Sequence, residues 1–182
     1  LKPDRYPLPL VSEIFQFLAG KSIFSAMDVE QSFLQLPVYE DHRGKLAFTW
    51  GGRHLMFIGT PFGLTPTSSV PQRTMRRIFE GSKCAIAFLD DIPVGSNSAD
   101  EHLHDLVDTI DRLTAANLRI IMKKSHFFKQ SLHLLGHTFT SKGISVDKRK
   151  LVDVEQWPLP QTGNAIERYL GLVNYFRDFI PC

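Results

Sequence analysis

The chain reads as short apolar runs separated by breaks that carry Gly and Pro. Residues 1–9 contain Pro3, Pro7 and Pro9. Each disfavours helix at the residue before it, so this stretch reads as an extended arm. Leu10, Ile14, Phe17 and Leu18 fall on one side of a predicted helix over residues 12–18, which Gly20 ends. Residues 22–28 alternate apolar with small or polar positions, as a strand does, and a turn of helix follows over 31–34. Residues 45–50 and 53–58 are β-prone and flank Gly51-Gly52, a hairpin signal because both glycines accept positive φ. Met75, Ile78 and Phe79 carry helical spacing within residues 66–79, where Pro71 fits only if the helix starts close to it. Residues 85–89 and 92–94 flank Asp90-Asp91 as a second hairpin.

The second half continues in the same style. Ser98 and Glu101 have capping-box spacing. The helix they open carries Leu103, Leu106, Val107, Ile110 and Leu113 and ends near Asn117. Residues 119–122 read as a strand. Residues 132–140 and 144–146 read as a third hairpin. A helix over 151–157 stops at Pro158, and a last amphipathic helix spans 164–179. Hairpins interleaved with helices argue for an α+β fold with an antiparallel sheet and helices packed on one face.

Composition narrows the class. With 182 residues, 43% of them hydrophobic, and a net charge of +2, the chain matches an ordinary globular domain. At this size roughly 70% of the unfolded surface can be buried, so a core needs no staples. Cys84 and Cys182 are too few for a disulfide framework or a Cys-based zinc site. No apolar run approaches 18 residues, so no membrane partner is expected. The chain lacks an initiator Met and a signal peptide, as a segment cut from a longer intracellular polypeptide would. The seven histidines show no metal-ligand spacing.

The segment over residues 85–94 is the most informative. It sets two adjacent carboxylates, Asp90 and Asp91, inside an apolar β-prone stretch. Read as pattern alone, the pair is equally a hairpin turn, where Asp is common. However, Asp-Asp is a poor two-residue turn, and like charges side by side repel. A divalent cation would resolve both problems. Asp28, ending another predicted strand, is a second candidate carboxylate, with a plain strand-end role as the alternative. Mg²⁺ favours one or two carboxylates plus substrate phosphates. Two such ions about 4 Å apart can assist an in-line displacement at phosphorus.

The same residues carry a family resemblance. Phe88-Leu89-Asp90-Asp91 resembles the (Tyr/Phe)-x-Asp-Asp box of reverse transcriptases. The chain as a whole resembles the palm of gypsy-type LTR-retrotransposon polymerases. Arg5-Tyr6-Pro7-Leu8-Pro9, the run 24–29 ending Asp28-Val29, Gln35-Leu36-Pro37-Val38, Pro61-Phe62-Gly63-Leu64, Leu134-Leu135-Gly136-His137 and the run 169–180 each resemble a family box, in order. The resemblance implies templated DNA synthesis from a dNTP onto a primer held on an RNA or DNA template. It implies two Mg²⁺ ions, with Mn²⁺ able to substitute. Asp28, Asp90 and Asp91 would then be the catalytic, metal-binding carboxylates, with the Val29 carbonyl near the second ion. Phe33 would lie under the incoming sugar, and Phe62 and Gly63 would shape the nucleotide pocket.

Arg73, Arg76 and Arg77 on one predicted helix, with Lys123 and Lys124 after residues 119–122, are the candidate nucleic-acid contacts. The resemblance divides the chain into a palm over residues 1–160, with a remnant of the fingers at its start, and the beginning of a thumb helix over 161–182. It implies contacts to fingers, thumb and ribonuclease H regions of a longer polyprotein. The setting would be a cytoplasmic particle or the nucleus. Pro71, Pro93 and Gly95 depart from the family pattern. They favour an alternative, a decayed or repurposed domain that binds nucleic acid or protein without polymerising.

Overall fold

A computed structural model describes residues 6, 7, 9–61, 63, 69–148, 150, 152 and 156–180, leaving out the Phe33 side chain. The elements are α1 (Val11–Leu18), β1 (Ile23–Asp28), α2 (Ser32–Gln35), α3 (Glu40–Arg43), β2 (Phe48–Trp50), β3 (Arg53–Leu55), α4 (Ser69–Ile78), β4 (Asp91–Ser96), α5 (Ala99–Ala115), β5 (His126–Lys129), β6 (Ser131–Leu134), β7 (His137–Thr140), β8 (Gly143–Val146) and α6 (Gly163–Tyr175). Most of the predicted helix over 151–157, most of the arm and the start of the helix over 66–79 lie outside the described residues; of the first, the Gln156 N–H donates to the Val152 carbonyl at 3.0 Å.

The fold is α+β with antiparallel pairing throughout, as the hairpin pattern predicts. Its strands divide among three sheets, ordered β4-β1-β5, β2-β3 and β6-β7-β8. The central sheet separates two cores. Ser25 pairs with Val94 and Met27 with Ile92. Met27, Ile92 and Val94 bury against Met75 and Phe79 from α4 or just beyond it, and against Leu106 and Leu113 of α5. The alternate positions Phe24 and Ala26 face a second core built from Ile14 and Leu18 of α1 with Leu132, Leu134 and Phe139 of the β6-β7-β8 sheet. Helices therefore cover both faces, α4 and α5 on one and α1 on the other. The expectation of helices on a single face is corrected because β1 and β4 are apolar on both sides.

Two further expectations change. Residues 119–122 form no strand beyond one bridge, Val29 to Ile120; the third strand of the central sheet is β5, over Phe127-Phe128. Residues 132–140 are themselves a hairpin, with Leu134 opposite His137. Leu135 and Gly136 make its two-residue turn at φ +50° and +71°, the left-handed pair such a turn requires.

Two of the departures from the family pattern are accommodated, and the third, Pro71, is buried on α4 three residues into its described part. The Pro93 carbonyl accepts from the Ile86 N–H at 3.4 Å. Its ring nitrogen therefore lies on that same outer edge, and no bond to β1 is lost. At Gly95 a Cβ would come within 3.0 Å of Leu18 Cδ2 and 3.1 Å of Lys21 Cγ, so glycine lets α1 press onto β4.

A buried polar chain ties α5 to the central sheet. The Ser96 hydroxyl donates to the Asp105 carboxylate at 2.6 Å, so its oxygen accepts from Nδ1–H of the fully buried His102 at 2.8 Å. His102 Nε2 then accepts from the Ser25 hydroxyl at 2.7 Å, and Ser25 Oγ accepts from the Phe128 N–H at 3.1 Å. Burial holds the imidazole below its ordinary value of 6.5, so it is neutral and this direction is fixed. Ser25→Ala strands the Phe128 N–H and His102 Nε2 together. It is expected to cost about 2–4 kcal/mol, read from the urea midpoint at constant m-value. A loss below about 0.5 kcal/mol would disprove the chain of donors.

Candidate active site

Asp28 ends β1 and Asp91 begins β4, and the two stand directly opposite each other in the ladder. Phe88 and Asp91 exchange backbone hydrogen bonds at 2.9 and 3.0 Å, which closes a two-residue turn over Leu89-Asp90. The turn thus sits one residue earlier than the Asp90-Asp91 position the sequence suggests. Asp91 is a strand residue facing Asp28, and Asp90 is a turn residue.

Leu89 takes φ +54°, a region that costs a non-glycine residue of order 1 kcal/mol or more. Gln72 of α4, 1% exposed, holds it there. Its Oε1 accepts from the Leu89 N–H at 2.9 Å, and its Nε2 donates to the Ala87 carbonyl at 3.1 Å. Both ends of one amide are spent on the strand that enters the turn. The sequence carried a signal for this residue, a polar side chain on the apolar face shared with Met75 and Phe79. Neither carboxylate chemistry nor spacing drew attention to it.

Each aspartate is anchored through its neighbours. The Asp28 N–H donates to Ser125 Oγ at 3.2 Å, and its carbonyl accepts from the Ile121 N–H at 2.8 Å. The turn that follows residue 121 places Lys124 Nζ 3.9 Å from Asp28 Oδ2. The Asp90 carbonyl accepts from the Val29 N–H at 2.9 Å, and the Asp90 carboxylate accepts from the Ser32 hydroxyl on α2. Burial first, then the charges of Asp28 and Asp90, push the Asp91 carboxyl above its ordinary 3.8, while Lys124 pulls it back. Val29 buries its side chain in the core against α4 and α5.

This is a set of hard oxygen donors under mutual repulsion, the environment that a divalent cation relieves. Asp28 and Asp91 fit such an ion as an opposed pair. Asp90 is turned onto Ser32, and among the described residues no three metal-ligating side chains converge as a closed cage.

The remaining candidates are dispersed. Phe33 lies on α2, its side chain outside the described residues, as is Phe62; Gly63 is an exposed turn residue at φ +86°. Lys124 is exposed beside Asp28, and Lys123, its neighbour in the chain, is also exposed. Arg73 and Arg76 instead lie over the Tyr6 ring of the arm, at 5.4 and 6.0 Å, and Arg77 is exposed on α4.

Over residues 2–139 the chain matches the family described as reverse transcriptase (RNA-dependent DNA polymerase), and it belongs to that family. It is 34% identical over 181 residues to the retrovirus-related Pol polyprotein from transposon 297 of Drosophila melanogaster, covering 98% of this chain and 17% of that protein. The Pol polyprotein from transposon gypsy, of the same organism, is 29% identical over 180 residues with the same coverage. The transposon Tf2-3 polyprotein of Schizosaccharomyces pombe is 28% identical over 183 residues, covering 100% of this chain and 14% of that one. The chain therefore spans only about a sixth of the length of these relatives. A solved foamy viral protease-reverse transcriptase in complex with double-stranded DNA has the same fold, with TM-score 0.90, 22% identity, and coverage of 100% of this chain and 32% of that one. Another, in complex with an RNA/DNA hybrid, gives TM-score 0.81 and 21% identity over 97% of this chain and 24% of that one.

Replacing Asp28 by Asn removes the charge opposite Asp91. The cation-free Asp28→Asn chain is expected to be more stable by up to about 1 kcal/mol at pH 7, with the Asp91 carboxyl titrating lower by NMR. An unchanged Asp91 titration would mean the two groups do not interact. Gln72→Leu leaves the Leu89 N–H and the Ala87 carbonyl without their partner. It is expected to destabilise by about 2–4 kcal/mol, with hydrogen exchange at residues 87–91 rising more than in β6-β7-β8.

Proposed function

We propose that this chain is the catalytic palm of an RNA-directed DNA polymerase, transferring a nucleotidyl group from a dNTP to a primer 3′-hydroxyl. The observation that carries the reading is the Asp28–Asp91 register pair beside the Leu89-Asp90 turn. In this reading residues 1–160 form the palm, and the helix within 161–182 begins the thumb.

Two Mg²⁺ ions, or Mn²⁺ in their place, would activate the attacking hydroxyl and neutralise the leaving pyrophosphate. The chain's own groups do the positioning on which phosphoryl transfer depends. Asp28 and Asp91 present opposed carboxylates from two rigid strand ends. Asp90 supplies a third carboxylate, which Ser32 orients, and the Val29 carbonyl is the remaining candidate ligand. Gln72 keeps the turn in its strained form while these groups bind. Lys124 sets a positive charge beside the carboxylates, where charge builds up on the transferring phosphate. Phe33 would exclude a 2′-hydroxyl, and Phe62 with Gly63 would border the template base. Arg77, Lys123 and Lys124 would contact duplex phosphates; Arg73 and Arg76 could do so only by leaving Tyr6. The non-catalytic alternative loses much of its motive, since Pro93 and Gly95 fit their positions. Among the described residues no helix is long and apolar enough to cross a membrane. Likeness to retrotransposon polyproteins, a separate ground, supports a cytoplasmic particle or the nucleus as the setting.

Primer extension on a primed RNA template with dNTPs and Mg²⁺ or Mn²⁺ tests the reading. Asp28→Asn and Asp91→Asn are each expected to lower extension by about 10²-fold or more while retaining the fold by circular dichroism. Duplex binding should persist in both variants and weaken with salt. Extension that survives either substitution would overturn the assignment.

A further inference from the structure

His137 opens β7 and is almost fully buried. Its Nδ1–H donates to the Leu135 carbonyl at 2.8 Å, and the Tyr175 hydroxyl of α6 donates to that same carbonyl at 2.8 Å. Nε2 has no hydrogen-bond partner, and among the described residues it is the one buried side-chain nitrogen or oxygen in that condition. Aromatic rings surround the imidazole: Phe15 of α1 at 4.6 Å, Phe179 at 5.2 Å, Phe176 at 5.4 Å and Tyr175 at 5.5 Å. Three of these four come from residues 175–179. The α6 segment is thus fastened to the β6-β7-β8 sheet largely around one histidine with an unsatisfied atom.

A joint built only for strength would have an apolar ring here, because an orphaned buried acceptor weakens the contact it belongs to. We propose that His137 is a release catch: neutral, it fastens residues 163–179 to the β6-β7-β8 sheet, and a proton on Nε2 lets them go. The added N–H would be a buried donor with no acceptor. The ring faces that could greet a cation offset only part of that burial. The charged groups on every packed element are engaged elsewhere or exposed. Glu13 of α1 accepts from the Leu10 N–H, and His133 of β6 faces Asp147 at 3.6 Å. Arg177 and Asp178 pair with each other, while Glu167, Arg168 and Lys150 are exposed. Burial holds the His137 imidazole below its ordinary 6.5. The docked form is therefore fully favoured above 6.5 and loses ground as pH falls from there toward the depressed value. Because Tyr175, Phe176 and Phe179 make this contact, the catch would set how freely residues 163–179 move against the sheet. This inference does not depend on the polymerase reading.

The test is hydrogen exchange by mass spectrometry on the whole chain from pH 8 to 5, corrected for intrinsic rates. Peptides within 163–179 are expected to lose protection by up to tenfold per pH unit below 6.5. In His137→Phe the same peptides should stay protected across the range, while α5 peptides, which also feel His102, respond alike in both proteins. Protection of 163–179 that is flat in the parent chain, or that falls in parallel in His137→Phe, would overturn the proposal. If His137→Phe does not fold, NMR titration of His137 in the parent chain decides. A ring pKa below 6.5 that tracks the loss of protection supports the catch, and a value at or above 6.5 overturns it.

Discussion

The structure is organised around one awkward ladder position, the pairing of Asp28 with Asp91. Like charges opposite each other across two strands repel, and burial of Asp91 adds to the cost. The fold holds them together with buried apolar positions along the same two strands. Met27, Ile92 and Val94 anchor one face of the same two strands, and Phe24 anchors the other. A slip of one residue would end the opposition of the aspartates and turn the side chains of one strand to the wrong core, Phe24 toward the side that Met27 fills. Register and site are therefore one decision: the residues that make the slip prohibitive are those that keep the aspartates opposed.

Gln72 extends this logic from the ladder to the turn. A leucine at φ +54° next to two carboxylates would relax if its N–H were free to find another acceptor. The Gln72 amide takes that N–H and the Ala87 carbonyl together, and α4 is itself fixed by Met75 and Phe79 in the core. The strain is thus carried by helix packing. Rigid support of this kind is what a site that must present carboxylates at fixed spacing requires.

Much of this was readable from residues. The alternation over 22–28 marks β1, Gly51-Gly52 marks the β2-β3 hairpin, and Ser98 with Glu101 opens α5. The three aspartates stood out because carboxylates are rare inside apolar strands. What escaped was set by partners distant in sequence. The turn moved one residue because Gln72, 17 positions before Leu89, captures that residue's N–H. Residues 119–122 look like a strand, yet β5 wins the edge of β1, where Ser25 takes the Phe128 N–H. Arg73 and Arg76 read as phosphate contacts by charge alone, and the tyrosine beneath them is 67 and 70 positions away.

The buried polar groups divide by what each does. Gln72 and His102 have all their hydrogen-bonding atoms answered, and both sit where β1 and β4 must not move. His137 leaves one atom unanswered, and it sits where residues 175–179 pack on the β6-β7-β8 sheet. A satisfied polar network in a low-dielectric core fixes geometry more strictly than apolar packing, which tolerates repacking. A half-satisfied one weakens its contact. Strictness thus falls beside the carboxylates and looseness where residues 175–179 meet the sheet, a distribution that holds the Asp28–Asp91 pair rigid while a neighbouring segment is free to move.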